Sequence, residues 1–396
     1  MKLRLQLLQT ILVQGVGAGA ALFAVLLLGS FLGPEPQGLF SRVKVEVEFC
    51  AALAMFGMPQ ALFYFVKTAR LNLRVALRWT SYAPVAGAVV ALCYALASHG
   101  HSDGTSLALW CAAVACCTWH GVLRGLTLVQ PTILQFNIIT SLPQVLMLLL
   151  ALALVLRHES VAPETLSAGF TLLFAASAGV AFRPLLALAR THPSPPGASS
   201  MSALLRYGLA AWLTVSLTAA GLVLIQRGVE STLGGTALGI FTMAMALAQV
   251  PLTPINYALP VLFRHWVQQG SAGLPWRILS VCTGGLLISA AIVGGLSSIK
   301  PDLWLGSRYT GLAALLSLLL AGAAGEALLK IISVDCHAQA ALRPPILAEA
   351  ARCTVVVVWW VISPWSHLFE AGLTWAVAAW CAVAVLGASR RMGAQI

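Results

Sequence analysis

Residues 38–41 read Gly-Leu-Phe-Ser, and residues 239–242 read Gly-Ile-Phe-Thr. Each motif opens an apolar stretch that contains a proline 21 residues after the glycine, at Pro59 and Pro260. The two copies lie 201 residues apart in a chain of 396 residues. A repeat whose period is about half the chain indicates two similar halves in the same order. Duplicated helical bundles of this kind form the two-lobed pathway of many transporters.

The composition places both halves in a membrane. Hydrophobic residues make up 59% of the chain and charged residues only 9%, whereas a soluble domain carries about 25% charged residues. The apolar runs are about 20 residues long, which is the length of a spanning helix, while barrel strands would be about 10 residues with strict alternation. The sequence therefore predicts an all-α integral membrane protein.

Twelve apolar runs have the length of a membrane span. With approximate limits they cover roughly 7–32, 43–66, 79–97, 107–129, 133–156, 166–189, 204–225, 237–263, 278–296, 310–334, 346–362 and 368–388. A stretch rich in Pro, Gly and Ser follows the sixth run and cannot continue a helix. We predict two pseudo-symmetric six-helix bundles: an N-terminal lobe over 1–190, a cytoplasmic linker over 191–203 and a C-terminal lobe over 204–396.

The basic residues predict the orientation. If the N-terminus is cytoplasmic, 17 of the 23 Lys and Arg residues fall at the inner side, as the positive-inside rule requires. Both termini are then cytoplasmic. The net charge of +11 is explained by this topology and by attraction to anionic inner-leaflet lipid, so we expect membrane lipid and no nucleic acid as a partner.

The sequence lacks common nucleotide-binding, catalytic and metal-binding motifs. The chain contains no Walker sequence, no HExxH and no Cys-x-x-Cys pair. His99, His101 and Asp103 share one short loop but do not make a closed set of metal ligands. We therefore expect a protein that is not an enzyme and that needs no cofactor and no metal ion.

Charged side chains inside the spans are the candidate functional residues, since a charge costs about 3 kcal/mol or more at the bilayer centre. His120 and Arg124 lie one helical turn apart in the fourth run, and Glu326 and Lys330 repeat that spacing 206 residues later. The repeat predicts a basic group at the same depth in each lobe, with a titratable group above it. Glu326 and His120 are the candidates for ion coupling.

The candidates for binding an anionic substrate share a basic or titratable side chain within a span: Arg124, Lys330, His120, Arg352 and Arg183. Other interpretations stay open for each of them. Arg124 and Lys330 could extend to the inner surface, His120 could be a packing residue, and Glu326 could form a local pair with Lys330.

A second charged group begins the second run, where Arg42, Lys44, Glu46 and Glu48 alternate with apolar residues. The pairs Arg42–Glu46 and Lys44–Glu48 are each four residues apart and can bond along a helix. Arg42, Lys44 and Glu48 are candidates for contact with a substrate headgroup at the outer side. The alternative is an ordinary interfacial helix turn.

Prolines predict one broken span. Pro251, Pro254 and Pro260 surround Asn256 in the eighth run, and a proline inside a helix removes a hydrogen bond and bends it. We predict that this span is broken or flexes. A simple kink that neighbouring helices accommodate is the alternative.

Two segments resemble a known family. Residues 32–41, Leu-Gly-Pro-Glu-Pro-Gln-Gly-Leu-Phe-Ser, and residues 237–244, Ala-Leu-Gly-Ile-Phe-Thr-Met-Ala, are similar to the starts of spans two and eight in polysaccharide (O-antigen type) flippases of the Wzx family. That family belongs to the multidrug/oligosaccharidyl-lipid/polysaccharide exporter superfamily. No family motif covers His120 or Arg124.

The resemblance implies a flippase of the bacterial inner membrane with a cationic central cavity. Its substrate would be a lipid-linked oligosaccharide, an isoprenoid diphosphate that moves from the cytoplasmic to the periplasmic leaflet by alternating access. It further implies a monomer that could act with a polysaccharide polymerase or ligase. A cation-coupled exporter of small amphipathic molecules and a non-transporting membrane scaffold are the other functions that the sequence leaves open.

Overall fold

The computed structural model describes residues 2–98, 104–157, 161–191, 201–269, 276–299 and 307–393, and these residues contain helices and no strand. The first half contains α1 Lys2–Phe31, α2 Pro34–Met55, α3 Met58–Lys67, α4 Leu73–Thr80, α5 Ala83–Ser98, α6 Gly104–Thr127, α7 Leu134–Arg157 and α8 Pro163–Thr191. The second half contains α9 Met201–Leu233, α10 Gly235–Gln249, α11 Thr253–Gln269, α12 Trp276–Ile299, α13 Leu312–Ala338, α14 Arg343–Ile362 and α15 Leu368–Gly393.

The helices match eleven of the twelve predicted spans. Within the described ranges, nine helical segments are long and apolar enough to cross a membrane, and Leu73–Ser98, made of α4 and α5, is one of them. Two bent pairs, α2 with α3 and α10 with α11, add two spans. The predicted ninth span falls in α12, where the described apolar helix Thr283–Leu296 is shorter. The predicted all-helical membrane fold class is confirmed.

Both bends lie where the sequence disfavours a continuous helix. Between α2 and α3 the chain turns by 47°, with Phe56 and Gly57 in the left-handed region at φ 48° and 67°. The pair α10 and α11 turns by 58° at residues 250–252, around Pro251 and just before Pro254. The predicted break in the eighth span is confirmed, and the second span has a matching break that the prolines alone did not predict.

The same helix pairings recur in the two halves. In the first bundle, α1–α8, helix α1 packs on α7, α5 on α6 and α6 on α8. In the second bundle, α9–α15, the equivalent helices pair in the same way, α9 with α14, α12 with α13 and α13 with α15. The exact lobe limits stay a prediction, since residues 192–200 of the linker and the loop with His99, His101 and Asp103 lie outside the described residues.

The repeated motifs face each other where the two bundles meet. Helices α2 and α10 pack closely, and a Cβ added at Gly38 would lie 2.8 Å from the amide nitrogen of Gly239. At the other end of the same spans, Phe63 and Phe263 pack with ring centroids 5.4 Å apart. The two copies of the motif therefore contact each other. Because Gly38 and Gly239 have no side chains, the two backbones can approach closely.

Candidate functional site

Arg124 is an exposed charge in an otherwise enclosed stretch of α6. Residues 120–123 and 126–127 are buried, and Arg124 alone is exposed among them. Through its side chain Arg124 forms no hydrogen bond or ion pair with another described residue. Since a charge facing lipid is costly, the group is best placed to meet a polar ligand.

Helix α2 also exposes one charge. Glu48 is exposed, although residues 36–47 and 49–55 of α2 are buried or half-buried. Its carboxylate forms an ion pair with the Lys44 ammonium at 2.9 Å, which confirms the predicted Lys44–Glu48 pair.

Small residues bring α6 against the bend of the second span. A Cβ added at Gly121 would lie 2.5 Å from Sδ of Met55, and one at Gly125 would lie 2.6 Å from Cβ of Pro59. Met55 ends α2 and Pro59 begins α3. The bend between α2 and α3 therefore packs on α6 beside Arg124. Because a helical side chain points toward the N-terminus of its own helix, the Arg124 side chain points in the direction of Glu48.

The second bundle holds its charges in a buried network. The Lys330 ammonium pairs with Glu326 at 3.3 Å, and Arg352 lies 3.7 Å from the other Glu326 oxygen. Arg352 also pairs with Glu349 at 2.7 Å and lies 5.1 Å from the Trp375 ring centroid, in a cation–π contact. The predicted local Glu326–Lys330 pair is thus present, within a network of two acids and two bases.

This network also joins the two sides of the bend in the eighth span. Gln249, the last residue of α10, donates to Glu326 at 3.4 Å. Asn256, in the first turn of α11, accepts from Lys330 at 3.2 Å. The Glu326–Lys330 pair therefore bonds to residues before and after the 58° bend. A change in the charge of Glu326 would alter both contacts.

Equivalent positions in the two bundles carry different chemistry. Glu48 corresponds to Gln249 at the 201-residue offset, and His120 corresponds to Glu326 at the 206-residue offset. Only the basic position is kept, as Arg124 and Lys330. In the second bundle the basic group pairs with an acid on its own helix. In the first bundle the acid on α2 pairs with Lys44, and Arg124 has no side-chain partner among the residues that the structure describes.

Three other predicted binding residues differ in exposure. His120 is buried against Phe174, with ring centroids 5.6 Å apart, and its Nε2 donates to the Ile139 carbonyl at 3.2 Å. Arg352 is 1% exposed and pairs with two acids. Arg183 lies on the exposed face of α8 beside Val180 and Leu186. His120 and Arg352 thus occupy core positions, and Arg183 occupies an exposed one.

Two ion pairs connect the bundles near the predicted outer side. Arg42 of α2 pairs with Glu230 of α9. Arg227 of α9 pairs with Glu46 of α2 at 2.6 Å and donates to the Tyr94 hydroxyl at 3.1 Å. The predicted Arg42–Glu46 pair is not formed, because each partner finds an opposite charge on α9 instead. We name these four residues the outer ion-pair lock.

Glu230 and Arg227 are functional candidates that the sequence analysis missed. Their only sequence signal was that Arg227 was one of six basic residues assigned to the outer side. Nothing along the chain places them opposite Arg42 and Glu46, which are nearly 190 residues away.

Charge reversal tests the outer ion-pair lock. We expect Arg42→Glu to separate the outer ends of α2 and α9, because it places like charges beside Glu230. Combining it with Glu230→Arg should restore the contact. Both side chains are 27% exposed, so the single pair contributes at most about 1 kcal/mol, and a partial loss of transport is expected. The measurement is export activity in cells at matched protein level.

The matched control is Arg157→Glu, at the outer end of α7, which should leave transport unchanged. Equal losses in Arg42→Glu and in the charge-swapped double variant would contradict the proposed role of the lock.

Comparisons with known proteins identify the fold. No protein-family model matches the chain, and no curated protein matches it. An outward-facing multidrug resistance MATE family transporter of the MOP superfamily superposes with a TM-score of 0.66 and 15% identity, covering 98% of this chain and 94% of that one. A MATE in complex with MaD3S gives a TM-score of 0.67 and 14% identity, covering 99% and 95%.

A third solved structure belongs to a MOP superfamily transporter from Pyrococcus furiosus, described by the reverse polarity of its binding pocket. It gives a TM-score of 0.66 and 13% identity, covering 98% of this chain and 95% of that one. Identities this low show the architecture and leave the substrate open. The chain therefore has the fold that these MATE and MOP superfamily transporters share.

Proposed function

We propose that the protein is a flippase that moves an isoprenoid-diphosphate-linked oligosaccharide from the cytoplasmic to the periplasmic leaflet of the bacterial inner membrane. The observation that carries this proposal is Arg124: an exposed guanidinium in the enclosed stretch 120–127 of α6, with no side-chain partner among the described residues. A positive group of this kind suits an anionic substrate and opposes a cationic one. The Wzx-like motifs and the superfamily fold agree with it.

The physical need is to carry a charged headgroup across hydrocarbon. Burying phosphate charges and sugar hydroxyls without partners costs tens of kcal/mol. A guanidinium forms paired, charge-assisted hydrogen bonds to phosphate oxygens and so replaces part of the lost hydration. An inside-negative potential favours outward movement of an anion by about 2.3 kcal/mol per charge per 100 mV. Ion coupling is therefore not required to drive export.

Alternating access would use the contacts between the bundles. The outer ion-pair lock and the Gly38–Gly239 crossing hold the outer ends of α2, α9 and α10 together. At the predicted inner side, Tyr64 and Tyr207 stack with centroids 4.8 Å apart, and Phe63 packs on Phe263. Rocking one bundle against the other would open one of these contact sets at a time.

Glu326 is the proposed coupling residue if transport uses a proton. It is 3% exposed and holds contacts on both sides of the bend in α10–α11 through Gln249 and Lys330. Neutralising it would release Lys330 and loosen the bend. His120 lacks such connections and is not carried into this proposal.

A cation-coupled exporter of small amphipathic molecules is the second candidate. It is favoured by the likeness to MATE transporters and by the two buried carboxylates in the second bundle, Glu326 and Glu349. The two functions differ in phenotype. Loss of the exporter would raise drug sensitivity and leave surface glycan normal, whereas loss of the flippase would reduce surface glycan.

Replacing Arg124 tests the proposed function in cells. We expect Arg124→Ala to lower surface polysaccharide at least tenfold while the protein level holds, because a lost charge-assisted pair is worth about 1.5–3 kcal/mol. Lipid-linked repeat units should accumulate in the membrane. Surface glycan is measured beside immunoblotting of the protein. Normal glycan in Arg124→Ala combined with Lys330→Ala would contradict a cationic crevice.

A further inference from the structure

We propose that Trp212 links the bend in the second span to contact between the bundles, so that the span is bent while the inner halves of the bundles touch and straightens when they separate. Trp212 belongs to α9 of the second bundle, and the bend, at Phe56 and Gly57, belongs to the first. This inference rests on the alternating access of the proposed function. It adds a positioning residue through which movement between the bundles changes the surroundings of Arg124.

A hydrogen bond crosses between the bundles at this bend. In a continuous helix the Leu53 carbonyl would accept from the Gly57 amide four residues later. Phe56 and Gly57 have φ angles of 48° and 67°, and within the described residues the Leu53–Gly57 bond is absent. The Leu53 carbonyl accepts instead from the Trp212 indole nitrogen at 2.8 Å. Trp212 thus satisfies a backbone group that the bend deprives of its helical partner.

The bend also packs closely on α9 around this hydrogen bond. The Phe56 and Trp212 ring centroids are 5.0 Å apart. A Cβ added at Gly57 would overlap the Gly208 carbonyl oxygen and would lie 2.9 Å from the Trp212 amide nitrogen. The backbone of the bend therefore lies directly on the turn of α9 from Gly208 to Trp212. The same atoms form the bend and the contact between the bundles.

The bent conformation is unfavourable without this contact. A left-handed backbone is strained for a residue as bulky as phenylalanine, and a buried carbonyl without a donor is costly. If α9 moved away, Leu53 would lose its donor and Phe56 its ring contact. Helical angles at Phe56 and Gly57 would relieve the strain and restore the Leu53–Gly57 bond. Separation of the bundles at this point therefore favours a straight span.

The bend in the eighth span is held in a different way. Gln249 and Asn256, on its two sides, bond to Glu326 and Lys330 of α13, which belongs to the same bundle. The bend in the second span bonds to the opposite bundle, through Trp212. A relative movement of the bundles therefore acts directly on the second span and leaves the α13 contacts in place.

Straightening would change the surroundings of Arg124 because both sides of the bend pack on α6. Met55 lies against Gly121, and Pro59 lies against Gly125. The helix α3 has 10 residues, so it is about 15 Å long. Removing a 47° bend would move one end of this helix by about 10 Å relative to α2. At least one of the two contacts beside Arg124 must then shift.

Distances between spin labels on the purified, full-length protein in detergent test the link, in a cysteine-free background that retains export. One pair of labels, at Arg78→Cys and Arg343→Cys, joins exposed positions of the two bundles. The other pair, at Arg70→Cys and Leu172→Cys, joins the end of α3 to an exposed position on α8. The first pair reports separation of the bundles, and the second reports straightening of the span.

Trp212→Phe removes the indole donor and keeps an aromatic ring. We expect the ratio of separated to closed molecules to rise about three- to tenfold, because one hydrogen bond of the closed state is lost. The distances of both label pairs should shift in the same fraction of molecules. Trp212→Ala, which removes the ring as well, should shift a larger fraction.

The matched control is Trp380→Phe. The Trp380 indole donates to the Ala321 carbonyl at 3.0 Å, but both residues belong to the second bundle. This variant loses the same kind of hydrogen bond without a contact between the bundles. Both distance distributions should match those of wild type.

A second pair of variants keeps Trp212 and changes only the preference for the bend. Phe56→Gly and Phe56→Ala both remove the phenylalanine ring, but glycine accepts the left-handed angle and disfavours a straight helix, whereas alanine does the opposite. We expect the separated fraction, relative to the closed one, to be at least about fivefold higher with alanine. If Trp212→Phe does not fold, this pair decides the question.

The link is overturned if Trp212→Phe leaves both distances unchanged, or if it shifts the pair between the bundles and leaves the pair within the first bundle unchanged. Equal distributions for Phe56→Gly and Phe56→Ala would also overturn it. These results need no substrate, so they would leave the proposed function standing. Conversely, wild-type protein that shows the expected shifts but moves no isoprenoid diphosphate in liposomes would refute the flippase and keep the link.

Discussion

Alanine at position 239 should disrupt the contact between the two bundles and abolish transport. A Cβ at Gly239 would overlap the Pro34 carbonyl at the start of α2, and backbone cannot move aside as a side chain can. Alanine gains about 1 kcal/mol of helix propensity over glycine, whereas overpacking a well-packed contact costs about 1–3 kcal/mol or more. We expect the overpacking to dominate. The measurement is thermal unfolding of the purified protein beside export activity.

The control for this experiment is Gly179→Ala, a glycine inside α8 with open space around its Cβ position. That variant should be at least as stable as wild type. If Gly239→Ala unfolds at the wild-type temperature and exports normally, the glycine crossing does not hold the bundles together.

Replacement of Arg352 by glutamine should give the largest loss of stability among the charged residues of the second bundle. The guanidinium is 1% exposed and pairs with Glu326 and Glu349. Removing it leaves two buried carboxylates facing each other, and breaking a buried ion pair costs about 3–5 kcal/mol. We expect a lower unfolding temperature in detergent and a reduced yield of monodisperse protein at neutral pH.

Adding Glu349→Gln to Arg352→Gln should recover most of the lost stability, because Glu349 is the carboxylate that loses its ion-pair partner, whereas Glu326 keeps Lys330. Arg183→Gln, an exposed arginine on α8, should unfold like wild type. A stable Arg352→Gln single variant would mean that the network is not charged as the geometry indicates.

The fold could be predicted from the sequence because its main signals are local and periodic. Twelve apolar runs, the positive-inside bias and the proline cluster around Asn256 each depend on short stretches of chain. The structure contains helices that match eleven of these runs, and it confirms the break beside Pro251. The repeat at Gly38 and Gly239 predicted two similar halves but carried no information on contact. That the two glycines touch follows only from the pairing of α2 with α10.

The site was harder to predict because its partners come from distant parts of the chain. The Lys44–Glu48 and Glu326–Lys330 pairs follow the four-residue helix rule, and both are present. The same rule predicted Arg42–Glu46 incorrectly, since α9 supplies stronger partners. The sequence also could not show that His120 is buried while Arg124, one turn away, is exposed.

The two bundles differ in how their repeated basic residues are paired. Equal spacing of His120–Arg124 and Glu326–Lys330 predicted a basic group at the same depth in each bundle. Lys330 pairs with an acid on its own helix, whereas the nearest counterpart in the first bundle, Glu48 on α2, pairs with Lys44. The part of the chain that the structure describes thus repeats the basic position without repeating its acid partner.

Transport of a defined lipid in proteoliposomes tests the central claim most directly. Purified protein would be reconstituted with a fluorescent isoprenoid-diphosphate sugar, and the fraction of headgroups that change leaflet would be followed with and without an applied potential. We predict protein-dependent movement that is faster toward the positive side and at least tenfold slower with Arg124→Ala. Movement no faster than in empty liposomes, or equal rates for wild type and Arg124→Ala, would contradict it.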